Sequence, residues 1–260
     1  VGKDSTAQFN QKNNFSSKPK HYLRITTQDK SPESKAATRT EVCDILIVGA
    51  GAAGLVAGLR GHHHGLKPLV IEKSSKIGGA SAYSGGGVWI PNNQLSTAAG
   101  VADSVGNALK YLETIVEDVG PASSRERKMA FLTYGPDMIA WLAKLGFKWR
   151  HTAGYPDYYP GKVGGVIGRT VEGKVFDLKK LGDWQDHLLT RSGVTPPAIY
   201  CNEYQLLALF TSTWKSIGTI LKAVVLRTYG RKVLGQKPVT LGKNLIAQLL
   251  FLCKNHGIAI

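Results

Sequence analysis

The chain has no long hydrophobic run. Its most apolar stretches, Ile45–Val48 and Leu245–Leu252, are short and bounded by charges or glycines. Neither approaches the roughly 18–20 residues that a membrane-spanning helix needs, so no transmembrane helix is expected. Cysteine is scarce. Cys43, Cys201 and Cys253 stand singly, without metal-ligand spacing. That pattern reads as reduced thiols in an intracellular, cytoplasmic protein. Acidic residues are also few: 33 Lys and Arg against 18 Asp and Glu leave a net charge of +15. Such a balance can signal nucleic acid or an anionic membrane. The bases are dispersed, however, with no arginine-rich block or aromatic ladder, so no nucleic-acid partner is expected. Three adjacent histidines, His62–His64, have no carboxylate beside them and read as a solvated surface run, so no metal site is expected.

What is present is ordinary for a globular protein: 260 residues, 43% of them hydrophobic, enough for a sizeable core. Residues 1–40 are the exception. They are rich in Ser, Thr, Asn, Gln and Lys, and that composition buries too little surface to offset chain entropy. A mobile polar extension is expected there, with order beginning near Val42. The chain starts with Val, which reads as a processed or truncated product.

From Asp44 the pattern changes. Asp44–Val48 is a short, β-branched apolar run and reads as a buried parallel strand. A glycine turn follows, then a helix over 52–60, then a second strand over 69–72. This is a β-α-β unit in an α/β fold. Residues 75–100 read as loop. Helices are predicted over 103–118, 123–133, 136–145, 203–224 and 242–255, with an irregular stretch over 150–175. Gly257–Ile260 reads as the start of a strand.

The turn after the first strand is Gly49-Ala-Gly51-Ala-Ala53-Gly54, a G-x-G-x-x-G pattern. The first glycine permits the tight turn, the second lets backbone approach a pyrophosphate, and the third lets helix pack on strand. Helix N-terminal amides and the dipole then face phosphate charge. The hexapeptide alone is weak evidence, but its setting is strong. Glu72 ends the next strand, 21 residues after Gly51, where a carboxylate can accept from ribose hydroxyls. A carboxylate there also disfavours a 2′-phosphate. Lys73 either lines the adenosine pocket or is solvated.

A second glycine-rich loop, Gly78–Gly87, begins six residues past Glu72. Two such loops so close together suit a long, extended cofactor, FAD. The amides around Gly79, Ala80, Gly85 and Gly86 and the hydroxyls of Ser81 and Ser84 could follow its pyrophosphate, ribitol and ring.

The run from Glu72-Lys73 through Gly78-Gly-Ala-Ser-Ala-Tyr-Ser-Gly-Gly-Gly-Val-Trp-Ile-Pro-Asn92 resembles the fumarate reductase/succinate dehydrogenase flavoprotein superfamily. Within it the similarity is greatest to 3-ketosteroid Δ1-dehydrogenase-like proteins. Gly154-Tyr-Pro-Asp-Tyr-Tyr-Pro160, Gly168-Arg169, Phe176-Asp177 and the segments 241–250 and 257–260 are similar to the same group. The resemblance implies a Rossmann-like FAD-binding domain of the glutathione-reductase type, over 41–260, in a flavin-dependent oxidoreductase. It implies dehydrogenation of a CH–CH bond beside a ketone, with a small steroid-like ketone as substrate. A dicarboxylate oxidoreductase of the fumarate-reductase kind and an inactive nucleotide-binding fragment are the alternatives. Tyr158 matches an active-site tyrosine of that group and is expected to assist a catalytic tyrosine. Tyr155 is expected to wall the pocket and Tyr159 to pack. The resemblance also implies that a catalytic domain and a C-terminal FAD segment are absent here, so that this chain alone is inactive.

Overall fold

The structure, a computed structural model, describes residues 23–27, 39–190, 197–204 and 213–260. Its centre is the β-α-β unit read from the sequence. Strand β3 (Ile45–Val48) pairs in parallel with β4 (Pro68–Ile71), and α1 (Ala52–His63) connects them. Ala259 bridges Leu69 on the far side of β4, also in parallel, so the predicted strand at 257–260 starts where the pattern placed it. Helix α1 buries Leu55 and Leu59 against Ile47 and Val70. Gly58 and Gly61 leave room for the strand side chains of Val70 and Ile45.

Order starts earlier than expected. β1 (Leu23–Thr27) pairs antiparallel with β2 (Arg39–Cys43), so two pieces of the supposed mobile extension form a ladder. Both segments are rich in β-formers (Leu-Arg-Ile-Thr-Thr and Arg-Thr-Glu-Val-Cys), a local signal that the polar average of residues 1–40 hides. The rest of that extension lies outside the described residues.

The stretch read as loop over 75–100 contains three short elements: α2 (Gly79–Tyr83), β5 (Val88–Trp89) and α3 (Gln94–Ala98). Asn93 caps α3 by accepting from the amides of Leu95 and Ser96, an N-cap concealed within a polar-looking segment. Helix α4 (Val105–Ile115) follows. The two helices predicted on either side of Gly135-Pro136 are one helix, α5 (Arg125–Leu145). Proline there costs a backbone hydrogen bond. Leu132, Ile139 and Leu142 are buried on both sides of it, which offsets that loss. Gly135 is pressed against Ile90, with 3.1 Å from its Cβ position to the isoleucine side chain.

The supposedly irregular stretch 150–175 supplies β6 (Trp149–His151) and β7 (Thr170–Gly173). With β5 they form an antiparallel sheet in the order β5-β7-β6. β8 (Phe176–Asp177) pairs with β9 (Pro238–Val239), joined by 3₁₀ turns over Leu178–His187 and later segments. The helix expected over 203–224 runs instead as α6 (Trp214–Leu221), continuing as a π-helical Lys222–Gly230 and a last turn Arg231–Val233. Residues 205–212 of that expectation lie outside the described residues. The last helix, α7 (Leu241–Asn255), is almost wholly buried and packs against both α1 and α2. It anchors the main core, which joins Leu245, Ile246 and Leu249 to Ile47, Val70 and Val171.

Candidate functional site

The first glycine turn is built as its pattern requires. Gly49 holds φ +100, a conformation rarely open to other residues. A side chain at Gly54 would place its Cβ 1.9 Å from the Gly49 carbonyl oxygen. Strand end and helix start are therefore in direct backbone contact. No side chain caps the N-terminus of α1 at Gly51, and Ala53 is exposed in its first turn. Apart from the Ala52 amide, which faces Ser81 Oγ, its first amides and dipole are thus available to an anion.

Glu72 reaches back across this turn. Its carboxylate accepts from the Ala50 amide at 2.9 Å and from the Ser74 amide at 3.0 Å. The Ser74 and Ala50 amides hold it below the usual carboxylate range, so it is charged at neutral pH. The Ala52 amide at the helix start lies 3.4 Å from Ser81 Oγ, which brings the second loop to the first. Gly49, Gly51, Gly54, Glu72 and Ser81 thus converge. Lys73 is exposed, as are Gly79, Ala80 and Gly85. Ser84 is used differently from expectation. Its hydroxyl donates to the Ser81 carbonyl at 2.8 Å and accepts from Gly86 N at 3.1 Å, so it shapes the loop's own turn. Gly86 is buried: its φ is +70 and a Cβ would meet the Leu241 carbonyl carbon at 2.3 Å. Packing against the start of α7 explains that glycine. Gly242 is its counterpart, 2.2 Å from Cβ position to Ser81 O. Leu241 and Gly242 were missed as supports of the loop because the sequence shows them only as a helix start.

The tyrosine segment is held beside this loop. Cys201 Sγ donates to Gly85 O at 2.7 Å. The Tyr155 phenol is half-buried near Cys201 and Tyr158; burial first, then these neighbours and Glu172, push its pKa up. Tyr158 is 89% exposed and Tyr159 58% exposed. Tyr159 therefore does not pack in the core as expected, although its backbone amide donates to Tyr111 Oη.

Beneath the tyrosines lies a buried charge network. Arg169, with 0% exposure, donates twice to Asp103 at 2.8 and 2.7 Å and once to Asp157 at 2.7 Å. Burial opposes its charge, but the two aspartates more than offset this and its pKa stands above its usual value. Asp157 also accepts from Trp89 Nε1 and from Val166 N. This ties the Tyr155–Tyr159 loop to β5, the exit of the second glycine loop. Glu172 is buried too, its pKa raised by burial although Cys201 N and Arg150 donate to it. Only Gly168-Arg169 and Asp157 of this network had drawn notice in the sequence, and for resemblance alone.

Among the described residues no group of His, Cys, Asp and Glu could hold a metal ion, and no helix is long and apolar enough to cross a membrane.

The glycine cradle, the open helix start and the charged Glu72 suit a dinucleotide. Residues 44–248 match the model of the FAD-binding domain family. The chain belongs to that family. FAD is therefore its cofactor, and the match takes in the whole cradle: it begins at Asp44, one residue before β3. The chain is 39% identical to a 3-oxosteroid 1-dehydrogenase of Mycolicibacterium smegmatis over 84% of its length and 38% of the relative's. It is 32% identical to a 4-oxocyclohexanecarboxylate 2-dehydrogenase of Sinomonas cyclohexanicum over 86% of its length and 37% of the relative's. A crystal structure of 3-ketosteroid Δ1-dehydrogenase from Sterolibacterium denitrificans, in complex with 1,4-androstadiene-3,17-dione, superposes with a TM-score of 0.71 at 29% identity. That match covers 84% of this chain and 39% of the other. The chain thus spans under two-fifths of the length of these relatives.

Proposed function

We propose that this chain is the FAD-holding part of a dehydrogenase acting on a CH–CH bond beside a ring ketone, with a 3-ketosteroid-like molecule as substrate. One observation carries the reading. Relatives named for different substrates, a 3-oxosteroid and an oxocyclohexane carboxylate, share a ring ketone, and both match over more than four-fifths of this chain. The tyrosine segment beside the glycine loop adds to it. The domain reads as Rossmann-like, of the glutathione-reductase type.

In this reading Gly49, Gly51, Ala53 and Gly54 receive the pyrophosphate on the α1 amides, and Glu72 takes the adenosine ribose, with Lys73 beside it. Gly79, Ala80, Ser81, Ser84, Gly85 and Gly86 line the path toward the ring. FAD, when bound, supplies the acceptor for the hydride. Removing a proton beside a ketone is eased by donors that stabilise charge on its oxygen and by a base near the acidic carbon. A phenol with an ordinary pKa near 10 needs help to act as that base. Tyr158, exposed beside Tyr155, is the residue assigned to assist it, and Tyr155 forms the wall behind.

The test has two parts. Glu72→Ala should lower FAD affinity by about tenfold or more, since charge-assisted hydrogen bonds contribute roughly 1.5–3 kcal/mol each. Full flavin occupancy of that variant at nanomolar protein would remove the ribose assignment. The whole protein, saturated with FAD, should reduce an artificial dye when given androst-4-ene-3,17-dione. Turnover with a dicarboxylate and none with the steroid would overturn the substrate class.

A further inference from the structure

A cavity of about 710 Å³ shares no lining residue with the two glycine loops. It lies between the 3₁₀ segment after β8, the β9 strand and the start of α7. Five lysines line it: Lys76, Lys179, Lys232, Lys237 and Lys243. The floor between them is apolar, with Leu178, Leu188 and Val239.

None of these lysines has an acidic side-chain partner among the described residues. Every ion pair among the described residues uses an arginine: Arg125, Arg150, Arg169 or Arg227. The one carboxylate on the cavity rim, Asp186, offers its backbone carbonyl to Lys76 Nζ at 2.6 Å. Lys237 Nζ donates to Gln185 Oε1 at 2.7 Å and Lys243 Nζ to Thr190 Oγ1 at 2.9 Å. An ammonium has three donors, so each of these keeps two in reserve. Neutral acceptors hold the side chains in place without cancelling their charge.

Lys243 is the half-buried member. Burial first, and Lys237 second, depress its pKa. A cation kept from water and faced by another cation is unfavourable unless an anion joins it. Lys243 is joined around the hollow by the four exposed lysines, and lysine is a point-charge partner well matched to phosphate oxygens. The volume lies in the range of small-molecule sites and exceeds what inorganic phosphate would fill. The apolar floor suits the remainder of the ligand.

We propose that this cavity is a binding site for a phosphate monoester with an apolar body, its phosphate held by Lys237 and Lys243 and its body on Leu178, Leu188 and Val239. A soluble phosphate ester and a phosphate-bearing lipid headgroup share this chemistry.

The experiment is calorimetric titration of the protein with octyl phosphate, below its micelle concentration, and with inorganic phosphate at matched ionic strength. Excess FAD is present throughout, so that the glycine cradle is filled. Octyl phosphate should bind saturably and more tightly than inorganic phosphate. Lys237→Gln and Lys243→Gln should each weaken it about tenfold, the loss of one charge-assisted contact. Lys110→Gln, on the exposed face of α4, should leave it unchanged. Lys243 adjoins Gly242 and its variant could disturb the start of α7. Lys179→Gln, at an exposed lining position, therefore provides a second charge-removing variant. No saturable binding, or binding that survives both Lys179→Gln and Lys237→Gln, would overturn the proposal. Sedimentation with vesicles of phosphatidic acid in phosphatidylcholine identifies the source. Association lost in Lys237→Gln assigns a lipid headgroup. Octyl phosphate binding without vesicle association assigns a soluble ester.

Discussion

The glycine loop and the tyrosine loop both border Cys201, which donates to Gly85 O and neighbours the Tyr155 phenol, yet they are held by opposite means. The glycine loop is fixed by missing atoms. Gly54 touches the Gly49 carbonyl, Gly242 touches the carbonyls of Ser81 and Ser84, and Gly86 touches the backbone of Leu241. The tyrosine loop is fixed by buried charge, with Arg169 between Asp103 and Asp157. The first kind of support fails when atoms are added and the second when atoms are removed.

The largest expected effect is therefore on the charged side. Arg169→Met leaves two aspartates buried without their cation, and breaking a buried pair in this way costs about 3–5 kcal/mol. Urea unfolding should show that loss in its midpoint with an unchanged slope. A cost below about 1 kcal/mol would mean that Asp103 and Asp157 are solvated and the network is not what holds the loop.

A smaller effect is expected from Gly54→Ala. One added methyl meets a carbonyl oxygen at 1.9 Å, and overpacking of this kind costs about 1–3 kcal/mol. The strand–helix turn must open to admit it, so FAD affinity should fall with stability. A variant of normal stability and normal flavin occupancy would show that the cradle adapts.

These two supports were not equally legible. The glycine loop could be read from sequence because its logic is local. A turn, a helix start and a carboxylate at the next strand end recur at fixed spacing, and the structure brings Gly49, Gly54 and Glu72 together as that spacing demands. The buried network was not legible, because Asp103 lies 66 residues from Arg169, Asp157 and Arg169 are joined by an irregular loop, and each alone looks like a surface charge. The same reason hid the role of Gly242, whose partner Ser81 is remote. Pro136 misled in another way. Local propensity ends a helix there, while burial of Leu132 and Ile139 carries it through. In the polar N-terminal region an average over forty residues concealed the two strand-like segments 23–27 and 39–43.

The comparison extends to pH. Cys201 couples the two loops, and Cys253 lies buried in α7. Burial is the first cause in both: the Cys201 thiol is pushed up to about 11, with Glu172 adding to it, and the Cys253 thiol to about 12, from an ordinary 9.0. An acid with a raised folded pKa favours the fold below its unfolded pKa. Between pH 9 and 11 the unfolded chain has lost these protons while the folded one keeps them. Stability should then fall by up to about 1.4 kcal/mol per pH unit for each thiol. Unfolding midpoints measured from pH 8 to 11 should drop, and Cys253→Ala should flatten the slope by one proton. An unchanged slope would mean that the α7 thiol titrates as in water.

The smallest effect separates function from scaffold most clearly. Tyr158 is exposed and gives no hydrogen bond to any described residue, whereas Asp157, beside it, is buried in three directions by Arg169, Trp89 and Val166. Removing the Tyr158 hydroxyl takes nothing from the fold, so Tyr158→Phe should shift stability by no more than about 0.5 kcal/mol. Asp157→Asn, one position away, should destabilise strongly, because it leaves Arg169 with half its counter-charge. The two variants together test whether the loop exists to present a phenol. In the whole flavoprotein, the proposed role of Tyr158 requires that Tyr158→Phe lower kcat by tenfold or more while its melting temperature and FAD occupancy stay at wild-type values. A variant that keeps full turnover would make Tyr158 an ordinary surface tyrosine, and the buried network beneath it would then support nothing but the sheet.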